Sequence, residues 1–447
     1  MKRPLCVFAV ALLAAAPLGA ATRWEAVNAD VDETIADTSE SPPSAMMHPL
    51  LTDVPFSNFR YPHVDLEENV TFIADDPVYS KKAAHHGIYR SIAKPPGELH
   101  ALVRKGDVAL PGSSYRFVWF RGLQVDGADF VFNATDTAHE RGLYYWSGGR
   151  VQLIARSHVT ILPGVKLPLT DVEYGALSDS RILYNARAGS ENLLVLHELR
   201  TGEARIVCRT GMPMPGSRGA EFRYISPQNW LDGSNVVFRA ADIDDPHHET
   251  RDASGRRGLF GWFGINWRQP ESAFDPARMA TLADGETPVP LLPGRRFNDI
   301  RSAPVRSGLV AFVAGGTGFT GVYYCDITSE RPAVRPVVDT ESALAGVFAG
   351  NFESFQIFCS VFDKSIVFIG HATNGYVGVF LYRTDHDELF LLCDSRTRIG
   401  AKLPVEFEIA GDFLVRNRFA ITARFDDDSS GVYLATIPAR SFKRLSE

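Results

Sequence analysis

The stretch Trp230-Leu-Asp-Gly-Ser-Asn-Val-Val-Phe-Arg-Ala-Ala241 is a turn signal running into a short apolar strand, and the chain repeats that pattern about every 50–75 residues. The copies are Val70-Thr-Phe-Ile-Ala74, Phe130-Val-Phe-Asn-Ala134, Ile182-Leu-Tyr-Asn-Ala186, Val236-Val-Phe-Arg-Ala240, Val310-Ala-Phe-Val-Ala314, Ile366-Val-Phe-Ile-Gly370 and Phe419-Ala-Ile-Thr-Ala423. Self-similarity at this period is the mark of propellers, solenoids and arrays. Each copy predicts a strand, and its surroundings predict three more. A Gly-apolar pair opens a second strand (Gly87-Ile-Tyr89, Gly142-Leu-Tyr144, Gly258-Leu-Phe260, Gly321-Val-Tyr323, Gly378-Val-Phe380, Gly431-Val-Tyr433); in the third copy it is degenerate, Asn192-Leu-Leu194. The loop between the two has hairpin length and turn residues.

A third strand is expected before a Pro-Gly turn, at Leu102-Val103, Leu153-Ile154, Ile206-Val207 and Leu291-Leu292, with Ala345-Gly346 and Ile399-Gly400 standing where the later copies lose Pro-Gly. A fourth opens each unit, as in Phe59-Arg-Tyr61, Phe222-Arg-Tyr224 and Phe352-Glu-Ser354. A sheet of four short strands cannot hide both its faces alone, but stacked neighbours can hide them. Seven such units predict an all-β, seven-bladed β-propeller of four-stranded antiparallel blades, with six or eight blades as alternatives. A shift of phase, with a strand from the N-terminal side completing the last blade, is left open.

Residues 1–21 have the pattern of a secretion leader. Lys2 and Arg3 precede an apolar run, and Gly19-Ala-Ala21 offers small residues for cleavage. The run is short for a bilayer span, and no later stretch reaches 18 apolar residues. Export to a periplasm or beyond the cell is expected, with no membrane span in the mature chain. Residues 22–55 are polar and turn-rich and are expected to form an arm or linker; 56–447 form the propeller. Losing Lys2 and Arg3 takes the formal net charge from −7 to −9. An acidic balance does not favour nucleic acid, which selects a basic patch. A monomer is expected.

The fourth unit is enlarged over about 241–285, and long insertions in repeat proteins map to loops on one face, often the binding face. Trp262, Trp267, Arg268, Asp245, His247 and His248 are the ligand-binding candidates there. A tryptophan would stack on a flat ligand such as a sugar ring while Asp or Arg supplies hydrogen bonds. The bland alternative is that both tryptophans cap the blade and the acids are solvated. Asp242, Asp244 and Asp245 are hard oxygen ligands suited to Ca²⁺, the one ion the residue types suggest. Acidic turns also occur at Asp75-Asp76 and Asp426-Asp-Asp428, which suggests turn chemistry as readily as a metal. No EF-hand, His-Glu-x-x-His, Cys-x-x-Cys, P-loop or Gly-x-Ser-x-Gly pattern occurs, and no cofactor is called for. Past the leader the chain has Cys208, Cys325, Cys359 and Cys393. An even count in an exported chain permits disulfides, and Cys359 with Cys325 or Cys393 is the pairing expected first, against four buried thiols.

Taken as a unit, the turn, the Val-x-Phe-x-Ala strand, the Gly-Ile-Tyr strand and the Pro-Gly turn resemble the tandem repeats of secreted bacterial β-propeller-like proteins, most closely at Leu231–Ala240 with Gly258-Leu-Phe260 and Pro293-Gly294. The resemblance spans about 56–437. It implies repetition, export and strand order, and it carries over no catalytic residue. Three functions follow as expectations: a binding or scaffold protein that uses a propeller face for a glycan or protein ligand, a polysaccharide-active hydrolase or lyase, and a purely structural surface protein. Convergent carboxylates, His, Tyr or Arg at the funnel mouth would favour the enzyme; a plugged funnel would favour the structural role.

Overall fold

In the computed structural model each repeat folds as one antiparallel sheet, and seven sheets stand around a common axis as a β-propeller. The structure describes residues 23–26, 30–37 and 58–436, apart from 66, 76–85, 93–97, 111, 218, 244–255, 266, 268–273, 330–331, 342–350, 400–401, 410–413 and 416–417. The leader-like residues 1–21 and the last residues, 437–447, lie outside that set.

Blade four shows the order. Its innermost strand is Tyr224–Asp232, followed outward by Asn235–Ala241, Arg257–Trp262 and Ala280–Asp284. The recurring Phe-x-Ala strand is therefore always second from the axis. Successive side chains on a strand point to opposite faces. Val236, Phe238 and Ala240 accordingly pack against blade three, and Val237 packs against blade five. The apolar core is divided in the same way into seven slabs, one between each pair of neighbouring blades.

Within the slabs an aromatic from each of the three inner strands meets in a cluster. Phe222 lies edge-on to Phe260 at 5.1 Å and to Phe238 at 5.9 Å. Phe59, Phe72 and Tyr89 repeat the trio in blade one, and Phe352, Phe368 and Phe380 in blade six. The glycine opening the third strand belongs to this arrangement. A Cβ on Gly258 would sit 2.9 Å from the Phe260 ring and 2.9 Å from the Ala283 carbonyl oxygen. The aromatic two residues on folds back over the bare glycine, so the Gly-x-aromatic spacing is a packing requirement.

The ring closes with a strand from the N-terminal side. Asp30–Asp37 pairs antiparallel with Ser430–Thr436 as the outer strand of blade seven. Arg23–Ala26 pairs in parallel with Glu388–Asp394 as a fifth, outermost strand of blade six. The phase is thus shifted, and part of the expected arm, 22–55, belongs to the sheets. Opposite blade seven, Val432 and Leu434 share a slab with Phe59, Phe72 and Tyr89 of blade one. Arg418 and Glu68 pair at 2.9 Å across the same seam.

Two expectations are corrected. The outer strand of blade four is Ala280–Asp284, and Leu291 sits in the following loop at 69% exposure. The four cysteines are free and buried. Cys208, Cys325, Cys359 and Cys393 fall in four different slabs, each enclosed by the faces of two blades, so the pairing expected for Cys359 does not form. Burial pushes the Cys325 and Cys359 thiols up to about 12, which keeps them protonated and unreactive.

Removing residues 1–37 takes the outer strand from blade seven. Calorimetry is expected to show an unfolding midpoint several degrees lower and a broader transition; an unchanged, equally sharp transition would mean that the ring does not depend on this closure.

Candidate functional site

A cavity of about 330 Å³ runs along the axis, lined by the innermost strands of all seven blades. Where these strands face the axis, every one slips register against its neighbour. The partner of Arg60 is Ile73 and that of His63 is Thr71, leaving one surplus residue in blade one. Blades three and five also carry one, blade two carries one at each of two slips, blade four carries two, and blade six carries one and then two. Such bulges bend a strand and leave a residue outside the ladder. Tyr61, Gly122, Gln228, Ser302 and Phe358 are surplus or adjacent residues, and all line the cavity. Tyr61 takes φ 55° and Gly122 φ 52°, left-handed conformations that turn the chain inward.

The bulges also position a polar clasp across each seam between blades. His63 Nε2–H donates to the Leu123 carbonyl at 3.1 Å, joining blades one and two. Asp126 accepts the Asp179 backbone N–H at 3.2 Å between two and three. The Ser178 hydroxyl oxygen accepts the Gly233 N–H at 2.9 Å between three and four, where Asn229 Nδ2 also donates to Asn185 Oδ1 at 2.5 Å. Asp232 accepts the Ser307 N–H at 2.7 Å between four and five. Cys359 and Ser302 are hydrogen-bonded between five and six. Gln356 Nε2 donates to the Phe407 carbonyl at 2.6 Å between six and seven. Glu408 accepts the Tyr61 N–H between seven and one.

Asp126, Asp179, Asp232 and Arg306 lie at one mouth, on the turns that leave the innermost strands. Burial raises the pKa values of Asp126 and Asp232, while the clasps and the Arg306 charge pull them down. Deeper in, burial drops His63 to about 4, so this imidazole is neutral and Nε2 holds its proton for Leu123. Glu408 stands out among the acids of the channel. Burial pushes its carboxyl up to about 7, against the Tyr61 N–H and the Arg60 charge.

Of the sequence-based candidates of the enlarged unit, Trp262, Trp267 and Asp242 lie within the described residues. The strand Arg257–Trp262 separates Asp242 and Arg256 at one of its ends from Phe263 and Gly264 at the other, about 17 Å away at strand rise. Asp244, Asp245, His247, His248 and Arg268 lie outside the described residues. Trp262 is 1% exposed, stacked on Phe238 at 5.6 Å, and donates Nε1–H to the Asp275 carbonyl at 3.1 Å. No ring face is left for a ligand, which removes Trp262 from the binding set. Trp267 is half-buried, donates to the Gly233 carbonyl at 3.1 Å and carries the Arg181 guanidinium 4.5 Å above its ring. Asp242 caps the Arg256 backbone N–H at 2.7 Å, and among the described residues no group of three or more His, Cys, Asp or Glu gathers as a metal site.

Sequence reasoning passed over the residues that do face the cavity. Trp230 and Phe358 line it with apolar surface, Phe358 being 39% exposed. Gln124 lines it with an amide, and Asn229 with a side chain whose buried Oδ1 lacks a hydrogen-bond partner. The signal available was the place of Trp230 two residues before the end of an innermost strand. That strand had been identified only by its opening Phe-Arg-Tyr.

No family model matches the chain, and comparison with curated proteins finds no match. Solved structures do match in fold. A prolyl endopeptidase superposes with a TM-score of 0.52 at 13% identity over 86% of this chain. The chain spans about half, 47%, of that protein's length. The β-propeller domain of the Trilobed protease from Pyrococcus furiosus, described as having an open velcro topology, gives 0.51 at 9% identity, covering 85% of this chain and 93% of the domain. At these identities the fold is what is shared.

Two measurements test this geometry. Glu408 holds its proton more tightly folded than unfolded, so stability is expected to fall as pH rises from about 4.5 to 7 and then level off. The loss should be about 3 kcal/mol and should vanish in Glu408→Gln, as denaturant titrations across that range would read. Arg256→Ala leaves Asp284 buried without its partner, the two now joined by Nε at 2.7 Å, and is expected to cost about 3 kcal/mol of unfolding free energy.

Proposed function

We propose that the chain is an exported binding protein that holds the end of a glycan in its central channel. Export rests on the leader-like residues 1–21, and the ligand class rests on the lining. Sugar rings present apolar faces and an edge of hydroxyls. A site for them combines a flat apolar surface with a few fixed polar groups. The observation carrying the reading is the convergence of Trp230 and Phe358 with the Gln124 amide and the Asn229 side chain, whose Oδ1 lacks a partner, on one cavity. The volume of about 330 Å³ suits one or two sugar units. Most other polar groups of the channel are occupied by the seam clasps, which supports binding over turnover.

Glu408 favours a second reading. A carboxyl that keeps its proton to about pH 7 inside a channel has the property of a general acid for glycoside cleavage. Its acidic neighbour on the same strand, Glu406, is tied to Arg424 at 2.8 Å on the exposed side. That arrangement does not favour the paired carboxylates a hydrolase needs.

Calorimetric titration with a panel of neutral oligosaccharides separates these readings. Saturable binding is expected, weakened at least about tenfold in Trp230→Ala, with Gln124→Ala giving a smaller loss of about five- to tenfold. No product should appear, and Glu408→Gln should bind as well as the parent chain. Turnover abolished by Glu408→Gln would replace the first reading with the second. Silence across the panel would remove both and leave the scaffold role.

A further inference from the structure

Because the chain is a repeat, each blade serves as a control for the others, and blade three departs from the pattern at two touching levels of one face. At the central aromatic of the second strand the other blades carry Phe72, Phe132, Phe238, Phe312, Phe368 and Ile421, all without a polar atom; blade three carries Tyr184. The third-strand residue paired with the first residue of that motif is Ser91, Trp146, Trp262, Cys325, Tyr382 or Ala435 in the other blades, and His197 in blade three. At two of the other blades the polar group at this position has a partner: Trp262 donates to the Asp275 carbonyl at 3.1 Å, and the Tyr382 hydroxyl to Asp387 at 2.7 Å. In blade three neither ring nitrogen of His197 and no lone pair or proton of the Tyr184 hydroxyl has a partner, although the residues are 7% and 0% exposed. The hydroxyls of Tyr144 and Tyr323 are also unpaired, but each sits beside a carboxylate, Asp136 or Asp339. Tyr184 has no such neighbour.

Both groups lie on the face of blade three that meets blade two, and both form the wall of a groove of about 500 Å³ between the blades. The facing wall is blade two's Ile154 with Ile161, Leu162 and Pro163 of the loop that follows; Ile161 is 58% exposed. A tryptophan at position 197, as in blades two and four, would fill this space. The smaller imidazole leaves it open. We propose that the groove between blades two and three is a second binding site, for a small uncharged molecule with an apolar body and one hydroxyl or carbonyl head. Buried polar groups are almost always satisfied, and two orphans at one groove point to what satisfies them. Burial lowers the pKa of His197, against Glu198, and raises that of Tyr184, so the pair is neutral and offers donors and one acceptor without charge. The apolar wall takes the body of the ligand. Of the charges nearby, Glu198, next to His197, pairs with Arg181 at 2.9 Å, and Glu203 and Arg205 in the groove's lining pair with each other at 2.8 Å. This site stands apart from the channel, and neither reading depends on the other.

The test uses the full chain labelled with ¹⁵N-histidine and phenol as the probe, followed by NMR. Saturable movement of the His197 ring signals is expected, weakened about five- to tenfold in Tyr184→Phe and absent in His197→Trp, which fills the groove. Cyclohexanol should compete; benzene, lacking a head, and acetate, carrying a charge, should not. Unchanged spectra elsewhere in the conservative Tyr184→Phe variant separate lost binding from lost folding. An unmoved His197 up to the solubility limit of phenol would mean that only water occupies the groove, and the proposal falls. It falls equally if Tyr184→Phe binds as tightly as the parent, or if benzene and acetate bind alike.

Discussion

A sheet of four short strands, apolar on both faces, is the constraint from which this molecule follows. Each strand contributes alternate residues to two different neighbours, so Val237 and Phe238, adjacent in the chain, serve separate slabs. No slab belongs to one blade, and none is complete until the next blade is in place. Burying apolar surface drives the assembly, and seven blades with the observed wedge shape bring the last against the first. The need recurs seven times with the same geometry, so the same residues recur. In most blades an aromatic is placed centrally in the second strand, a glycine opens the third, and an aromatic two residues later lies over that glycine, while blade seven has Ile421 at the centre and blade three has Asn192-Leu-Leu194 at the third strand.

The axis poses a different problem. Blades approach most closely there, and their innermost strands cannot continue as regular ladders without leaving backbone groups unpaired in a narrow space. The molecule answers with bulges and with a side chain or backbone group reaching across every seam. These clasps are chemically unlike one another. Imidazole, carboxylate, hydroxyl, amide and thiol each serve at least once. They leave only a small set of polar groups facing open space, and that small set, rather than the total of polar residues, defines what the channel can hold.

This difference explains what could be read from the chain alone. Strand order, blade number and the identity of the buried aromatics follow from positions such as Phe72, Phe238 and Phe368, because each blade repeats one packing solution. The clasps escaped notice because His63, Asp126, Ser178 and Gln356 share no type and no spacing. The enlarged fourth unit drew attention to Trp262 by its length and composition. The Trp262 ring proves to be part of the slab between blades three and four. The closing strand Asp30–Asp37 was read as part of a linker since it resembles no repeat; it lacks the inner three strands with which a repeat is recognised.

The surplus residues of the innermost strands give the lumen a freedom that the slabs do not have. A residue outside the ladder can be lengthened, shortened or exchanged without disturbing the two faces on which its blade is stacked. Blade four already carries two where blade one carries one, and the ring tolerates both. The bore of such a molecule can therefore diverge one sector at a time while its exterior stays the same, and chains with nearly identical outer patterns need not accept the same guest.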